Sequence, residues 1–350
     1  MIVGKSPHLV GLDIGSSSLK AGEIMVTKKR LTLKNFGMIS IAPGAIEEGS
    51  ITDPENIADS IRELFKANNI KEKNVAISIG GYSVIVKQIE LQTATEKQLQ
   101  ETIHLEAEQY IPFDISEVNL DYQILGETEV GSNQMSVILV AAKKEMINEY
   151  IDLVQLAGLN PCIIDVDAFA LQNIFETNYD IIDENVMLID IGANKTSLNI
   201  LKDHSSIFMR DVSMGCDQIT QQIISLTDCS FTEAEQIKLG KRTDKISPDD
   251  LKQIVSSVIS EWSIEIKRAL DSYDSTNPDG QIKRVILSGG GANIKEFRQL
   301  LMDETSFEVE IINPFKKLHI AKRFDPSYLE QIAPQASICM GLALRRVDDK

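Results

Sequence analysis

Two short stretches carry residue types that suit phosphate and metal chemistry. The first is Asp13-Ile14-Gly15-Ser16-Ser17-Ser18-Leu19-Lys20 and the second is Asp190-Ile191-Gly192-Ala193-Asn194-Lys195-Thr196-Ser197. Each closes an apolar strand and opens another. Gly15 lets the backbone turn tightly and lets an anion approach with no Cβ in the way. The amides of Ser16, Ser17 and Ser18 can then form a concave nest for anionic oxygens, with hydroxyls as further donors. Lys20, across the turn, can reach a terminal phosphate as a point charge. Asp13 is a poor neighbour for phosphate unless it holds a divalent cation through water, as carboxylates near Mg²⁺ usually do. Asp190, Gly192, Ala193, Asn194, Lys195 and Thr196 repeat the set. One Asp-x-Gly turn is commonplace; two in the same strand context point to a duplicated domain whose turns face each other.

A third glycine-rich turn, Ser288-Gly289-Gly290-Gly291-Ala292, follows an apolar strand and precedes a helix. Bare backbone there would let a flat base lie against it. Neither G-x-x-x-x-G-K-[ST] nor a full G-x-G-x-x-G occurs, so the P-loop and dinucleotide folds are not signalled.

The elements around these turns alternate strand and helix. Asp53-Pro54 reads as an N-cap and first helical residue, with Ile57, Ile61, Leu64 and Phe65 on the apolar face. The stretch from Ser83 to Asn160 reads strand-helix-strand-strand-helix, a small α+β block inserted in a larger unit. Its helices run from Thr95 to Tyr110 and from Glu145 to Leu156, the second closed by Gly158. Ile254, Val258, Trp262, Ile266 and Leu270 recur at helical spacing over Leu251 to Tyr273, and Trp262 reads as core. A helix begins after Met214-Gly215, and another spans Thr232 to Lys238.

Bulk properties narrow the function. At 350 residues and a formal net charge of −17, the chain calls for two or three domains and lacks the basic face that nucleic acid requires. Cys162, Cys216, Cys229 and Cys339 form no C-x-x-C pair, so reduced, mostly buried thiols are expected. Residues 1–7 have no charged and apolar segments of a signal peptide, and no run of about 18 apolar residues follows. The expected location is the cytoplasm.

With two Asp-x-Gly turns and a late Gly-Gly-Gly turn, the chain resembles the actin/Hsp70/hexokinase superfamily over almost its whole length. That resemblance implies ATP and Mg²⁺ bound between duplicated, ribonuclease H-like α/β domains. It assigns Asp13, Gly15, Ser16, Ser17, Ser18 and Lys20 to the first phosphate motif and Asp190, Gly192, Ala193, Asn194, Lys195 and Thr196 to the second. Asp13 and Asp190 become the metal-holding pair. Gly215 joins the cofactor set, and Ser288, Gly289, Gly290, Gly291 and Ala292 form the adenosine turn. Glu235 and Lys238 match the segment that contacts ribose and adenine. Asp167 falls where relatives orient the attacking water, and it equally reads as the N-cap before Ala168.

Within that superfamily, Glu106-Ala107-Glu108-Gln109-Tyr110-Ile111-Pro112-Phe113-Asp114, Leu120 to Leu125 and the ending Pro334 to Arg345 look like the PilM family of type IV pilus assembly. The inserted block is similar to the subdomain that family shares with the division protein FtsA. The resemblance implies a first half at 1–82, 161–180 and 335–350, and an insert (1C) at 83–160. It implies a second half at 181–232 and 283–334 and a helical subdomain at 233–282. It also implies a partner, the N-terminal cytoplasmic tail of PilN, held in a groove of the insert. Other platform proteins and the assembly ATPase complete the implied partners. Ile111, Pro112 and Phe113 read either as groove residues or as a loop buried for packing. ATP binding with slow or absent hydrolysis is the expected activity. A filament-forming FtsA-like protein and a small-molecule kinase are the alternatives; residues 346–350 are acidic and too short for an interfacial helix.

Overall fold

The computed structural model describes residues 8–27, 30–127, 133–180, 184–202, 204–242, 244–277, 280–305 and 307–349. The reading of residues 1–7 as no leader lies outside these. In chain order, β1 (Val10–Ile14), β2 (Ser18–Thr27) and β3 (Arg30–Ser40) precede a small hairpin of β4 (Ile46–Glu47) and β5 (Ser50–Ile51). Then come α1 (Pro54–Ala67) and β6 (Asn74–Ile79). Next are β7 (Val84–Gln92), α2 (Glu96–Ala107), β8 (Val118–Glu127) and β9 (Gln134–Lys143), followed by α3 (Lys144–Leu156), β10 (Asn160–Val166) and α4 (Asp167–Asn178). The second portion holds β11 (Asn185–Ile191), β12 (Thr196–Lys202), β13 (Ser205–Val212), α5 (Asp217–Thr227), α6 (Phe231–Lys238) and α7 (Pro248–Thr276). It continues with β14 (Ile282–Ser288), α8 (Lys295–Thr305), β15 (Glu308–Ile311), β16 (His319–Ile320), α9 (Pro326–Ile332) and α10 (Ser337–Leu342).

The duplication suggested by the two turns extends to whole sheets. The first sheet is ordered β10-β6-β1-β2-β3-β16 and the second β15-β14-β11-β12-β13. In both, three strands run as an antiparallel meander, and two later strands add in parallel beside the first. β16 then extends the edge of the first sheet along β3.

Strand periodicity explains how the layers pack. On β11, Met187, Ile189 and Ile191 point into a core shared with α5, α6 and α7, while Val186 and Leu188 point the other way. That opposite face belongs to a core that also includes Ile24, Leu33 and Phe36 of the first sheet and Leu171, Ile174 and Phe175 of α4. Ala336, Cys339 and Met340 complete it. Helices α4 and α10 thus lie between the two sheets.

The approach of these helices is close enough to require glycine. A Cβ on Gly341 would sit 1.8 Å from the Ala170 carbonyl oxygen, and one on Gly11 would sit 2.1 Å from the Cys339 carbonyl oxygen. On the outer side of the second sheet, Trp262 is fully buried, edge-on to Phe297, and its Nε1 donates to Gln218 Oε1 at 2.7 Å. Asp53 caps α1 as expected, accepting from the Asn56 amide, and Pro54 opens the helix. Thr95 and Gln98 cap α2 reciprocally.

Three features refine the sequence reading. Helix α3, counted there with the insert, places Met146, Ile147, Tyr150, Leu153 and Val154 in the core of the first sheet beside α1. Among the described residues, β7, β8, β9 and α2, with Ile111 of the loop between α2 and β8, form the insert's separate core. Asp167 is not an N-cap: Val166 occupies that position, with no side-chain cap, and Asp167 is the first residue of α4. Of the proposed groove residues, Ile111 is buried in the insert's core, Phe113 is half-buried under the Lys143 ammonium, and Pro112 is exposed. Among the described residues, no helix is long and apolar enough to cross a membrane.

Gly341→Ala should lower stability by about 1–3 kcal/mol, because the Ala170 backbone it meets cannot rotate away. Denaturant unfolding measures this directly. An unchanged midpoint would mean that α4 and α10 are not packed as described.

Candidate functional site: two matched hairpins and their charges

The two Asp-Ile-Gly turns have the same construction. Asp13 faces Lys20 and Ile14 faces Leu19, while Asp190 faces Ser197 and Ile191 faces Thr196. In both, the glycine amide donates to the carbonyl three positions along the turn: Gly15 to Ser18 at 3.2 Å, and Gly192 to Lys195 at 2.8 Å. A Cβ on Gly192 would lie 3.0 Å from that same Lys195 oxygen. The second turn is fastened to the start of α5, where the Cys216 and Asp217 amides donate to the Gly192 and Ala193 carbonyls. Gly215 allows this contact, since a Cβ there would meet the Ala193 oxygen at 2.2 Å.

Register places Asp13 beside Lys20, and their side chains pair at 3.0 Å. Burial pushes Asp13 upward in pKa despite that pairing, and Asp167 adds repulsion. Burial also pushes Asp190 up, to about 6, and the charges of Asp13 and Asp167 add to the rise. Asp167 behaves differently. Burial alone would raise it, but Lys195 at 2.6 Å and a hydrogen bond from Ser78 Oγ at 2.6 Å hold it below the ordinary carboxylate range. Lys195 is held above the usual ammonium value in return, the pull of Asp167 and Asp211 exceeding the cost of burial.

Several expected ligand groups have protein partners. Thr196 is fully buried and its hydroxyl donates to the Met214 carbonyl. Ser288 donates to the Pro334 carbonyl. Ser18 is buried, Ser16 half-buried and Ser17 exposed, and Asn194 is half-buried. Gly289 has φ +80°, and a Cβ on it would strike the Ile191 carbonyl at 2.3 Å, so the third glycine turn lies directly against the second hairpin. Gly290 to Asn293 form a short 3₁₀ turn in which Gly291 and Ala292 are buried. Glu235 and Lys238 pair at 2.5 Å on α6, and Lys238 also reaches the Thr220 hydroxyl at 2.9 Å and the Cys216 carbonyl at 3.5 Å. That cluster stands at the start of α5, next to the second turn.

Asp211, on β13, went unmarked by the sequence reading. Its Oδ2 accepts from the Gly81 amide at 2.5 Å and lies 3.7 Å from Lys195 Nζ.

Comparison with known proteins agrees with this geometry. The family described as type IV pilus assembly protein PilM matches residues 11–347. The chain belongs to that family. A solved PilM-PilN type IV pilus biogenesis complex matches at TM-score 0.88 and 27% identity, covering 99% of this chain and 100% of that one. The ethanolamine utilization protein EutJ from Carboxydothermus hydrogenoformans matches at TM-score 0.58 and 16% identity, covering 97% and 90%. MreB 5 of Spiroplasma citri, solved bound to AMPPNP, matches at 0.52 and 13%, covering 97% and 96%. The latter two share the actin-like fold. This PilM-family chain is a type IV pilus assembly protein with a duplicated actin-like architecture.

A raised carboxyl has a definite consequence for stability. Between its unfolded value and about 6, Asp190 binds more protons in the folded state, so stability present at low pH is lost as pH rises through about 6. Asp190→Asn should therefore raise the melting temperature of ligand-free protein at about pH 8, with the gain shrinking at about pH 4.5. Scanning calorimetry at both pH values tests this. A melting temperature lowered at the higher pH would contradict it.

Proposed function

We propose that this chain is an ATP-binding scaffold of the type IV pilus assembly platform, and that nucleotide sets its conformation and so tunes capture of the PilN N-terminal tail. The observation that carries this reading is the pair of matched hairpins whose buried carboxylates, Asp13 and Asp190, repel each other. A divalent cation would relieve two such carboxylates, and oxygen donors of this kind suit Mg²⁺. When bound, Mg-ATP supplies a polyanion and a cation that join the two halves. Asp13 and Asp190 would hold the metal. The amides of Ser16 to Ser18 and of Ala193 to Lys195 would receive phosphate oxygens, and Lys20 and Lys195 would exchange aspartate partners for them. Gly289 to Gly291 would flank the adenosine, with Glu235 and Lys238 at the ribose and base.

Hydrolysis is slow on this reading. Asp167, held by the Ser78 hydroxyl at 2.6 Å, would orient the attacking water once Lys195 has left it. The near-complete mutual coverage with the PilM-PilN complex favours the scaffold over the filament and kinase readings. The insert, with its own core and its β8 edge strand, supplies a separate surface for an extended peptide.

Calorimetric titration with a synthetic PilN tail peptide, with and without Mg-ATP, tests the proposal. The expected result is saturable binding whose affinity changes with Mg-ATP, and loss of that change in Asp13→Ala. Binding indifferent to nucleotide removes the switch. Absence of peptide binding by protein that takes up Mg-ATP overturns the PilN assignment.

A further inference from the structure

The proposed function needs a physical link from the phosphate turns to the insert, and the structure holds a candidate at Gly80-Gly81. These two residues join β6 of the first sheet to β7, the first strand of the insert. Gly81 has φ +85°, and its carbonyl accepts from the Val84 amide at 3.0 Å, so the pair forms the root on which the three-stranded sheet turns. Both glycines are touched by the second half. A Cβ on Gly80 would lie 2.3 Å from Lys195 Nζ and 2.5 Å from Asp167 Oδ2, so the Lys195–Asp167 ion pair rests on the Gly80 backbone. The next residue's amide donates to Asp211. The Asp211 oxygen that accepts this bond is also the one facing Lys195.

We infer that Asp211 is a positioning residue that reports the state of the second phosphate turn to the root of the insert. The inference rests on the nucleotide reading above. Lys195 cannot serve a phosphate and keep both aspartates. As it moves to a bound triphosphate, it uncovers Gly80 and removes the charge that holds the Asp211 carboxylate over the Gly81 amide. The two arrangements differ in contacts that nucleotide alone makes or breaks, as a ligand-driven shift requires. A cavity of about 230 Å³ adjoins the junction, lined by Gly80, Gly81, Val84, Asp167, Met209 and Asp211. Because β7 follows directly, a change at Gly81 is delivered to β7, β9 and β8 as a unit.

Hydrogen exchange at the Gly81 amide, measured with and without Mg-AMPPNP, tests this. In the wild type, exchange should be slow without nucleotide and faster by about tenfold with it, the effect of losing one charge-assisted hydrogen bond. Asp211→Ala should exchange fast in both states while retaining nucleotide uptake by calorimetry. Asp211→Asn keeps an acceptor for the amide but no charge for Lys195; it should show partial protection and no response. Wild-type protein that takes up Mg-AMPPNP without a change at Gly81, or Asp211→Ala that responds like the wild type, overturns the inference while leaving the nucleotide reading intact. Wild-type protein that takes up no Mg-AMPPNP overturns the nucleotide reading, and the link with it.

Discussion

The arrangement depends on how closely α4 and α10 approach each other and the sheets. Gly341 lies against the Ala170 carbonyl and Gly11 against that of Cys339, at separations that no side chain larger than hydrogen permits. These contacts seat both helices between the two sheets, in one apolar core that draws on each half. With the sheets so related, the hairpin after β1 and the hairpin after β11 bring Asp13, Asp167, Asp190, Lys20 and Lys195 within mutual electrostatic reach. A widening at α4 or α10 would separate these charges.

Those charges form a set that is satisfied only in part by the protein. Lys20 answers Asp13, and Lys195 answers Asp167 and Asp211, whereas Asp190 has no ion pair among the described residues and burial pushes it up to about 6. Such a carboxylate costs stability near neutral pH, a cost that functional sites commonly carry. Overall charge has little to do with it. The formal net charge of −17 argues against polyanions at large, yet Lys20 and Lys195 stand at the two turns.

Much of this was legible in the sequence because it depends on local chemistry. The strand-Asp-Ile-Gly-turn-strand unit recurs with the same four-residue turn, and the sheets built on it share one strand order. The phase of Ile254, Val258, Trp262 and Ile266 gave the buried face of α7. Other features depend on contacts between remote segments and leave no local trace. Asp211 is the penultimate residue of β13, in Ser-Ile-Phe-Met-Arg-Asp-Val, with no glycine beside it; its hydrogen bond arises because Gly81 approaches from another part of the fold. Asp167 resembles a helix cap, but its partners, Lys195 and Ser78, come from two other strands and turns. Helix α3 has an apolar face that would suit either neighbour, and only the three-dimensional path of the chain directs it to α1.

The central claim is that the two matched hairpins jointly hold one nucleotide. A crystal structure with Mg-AMPPNP tests it most directly. The account predicts triphosphate between Gly15–Ser18 and Gly192–Thr196, metal near Asp13 and Asp190, and Lys195 turned from Asp167 to phosphate. Nucleotide bound elsewhere, or bound there with the Lys195–Asp167 pair intact, would contradict it.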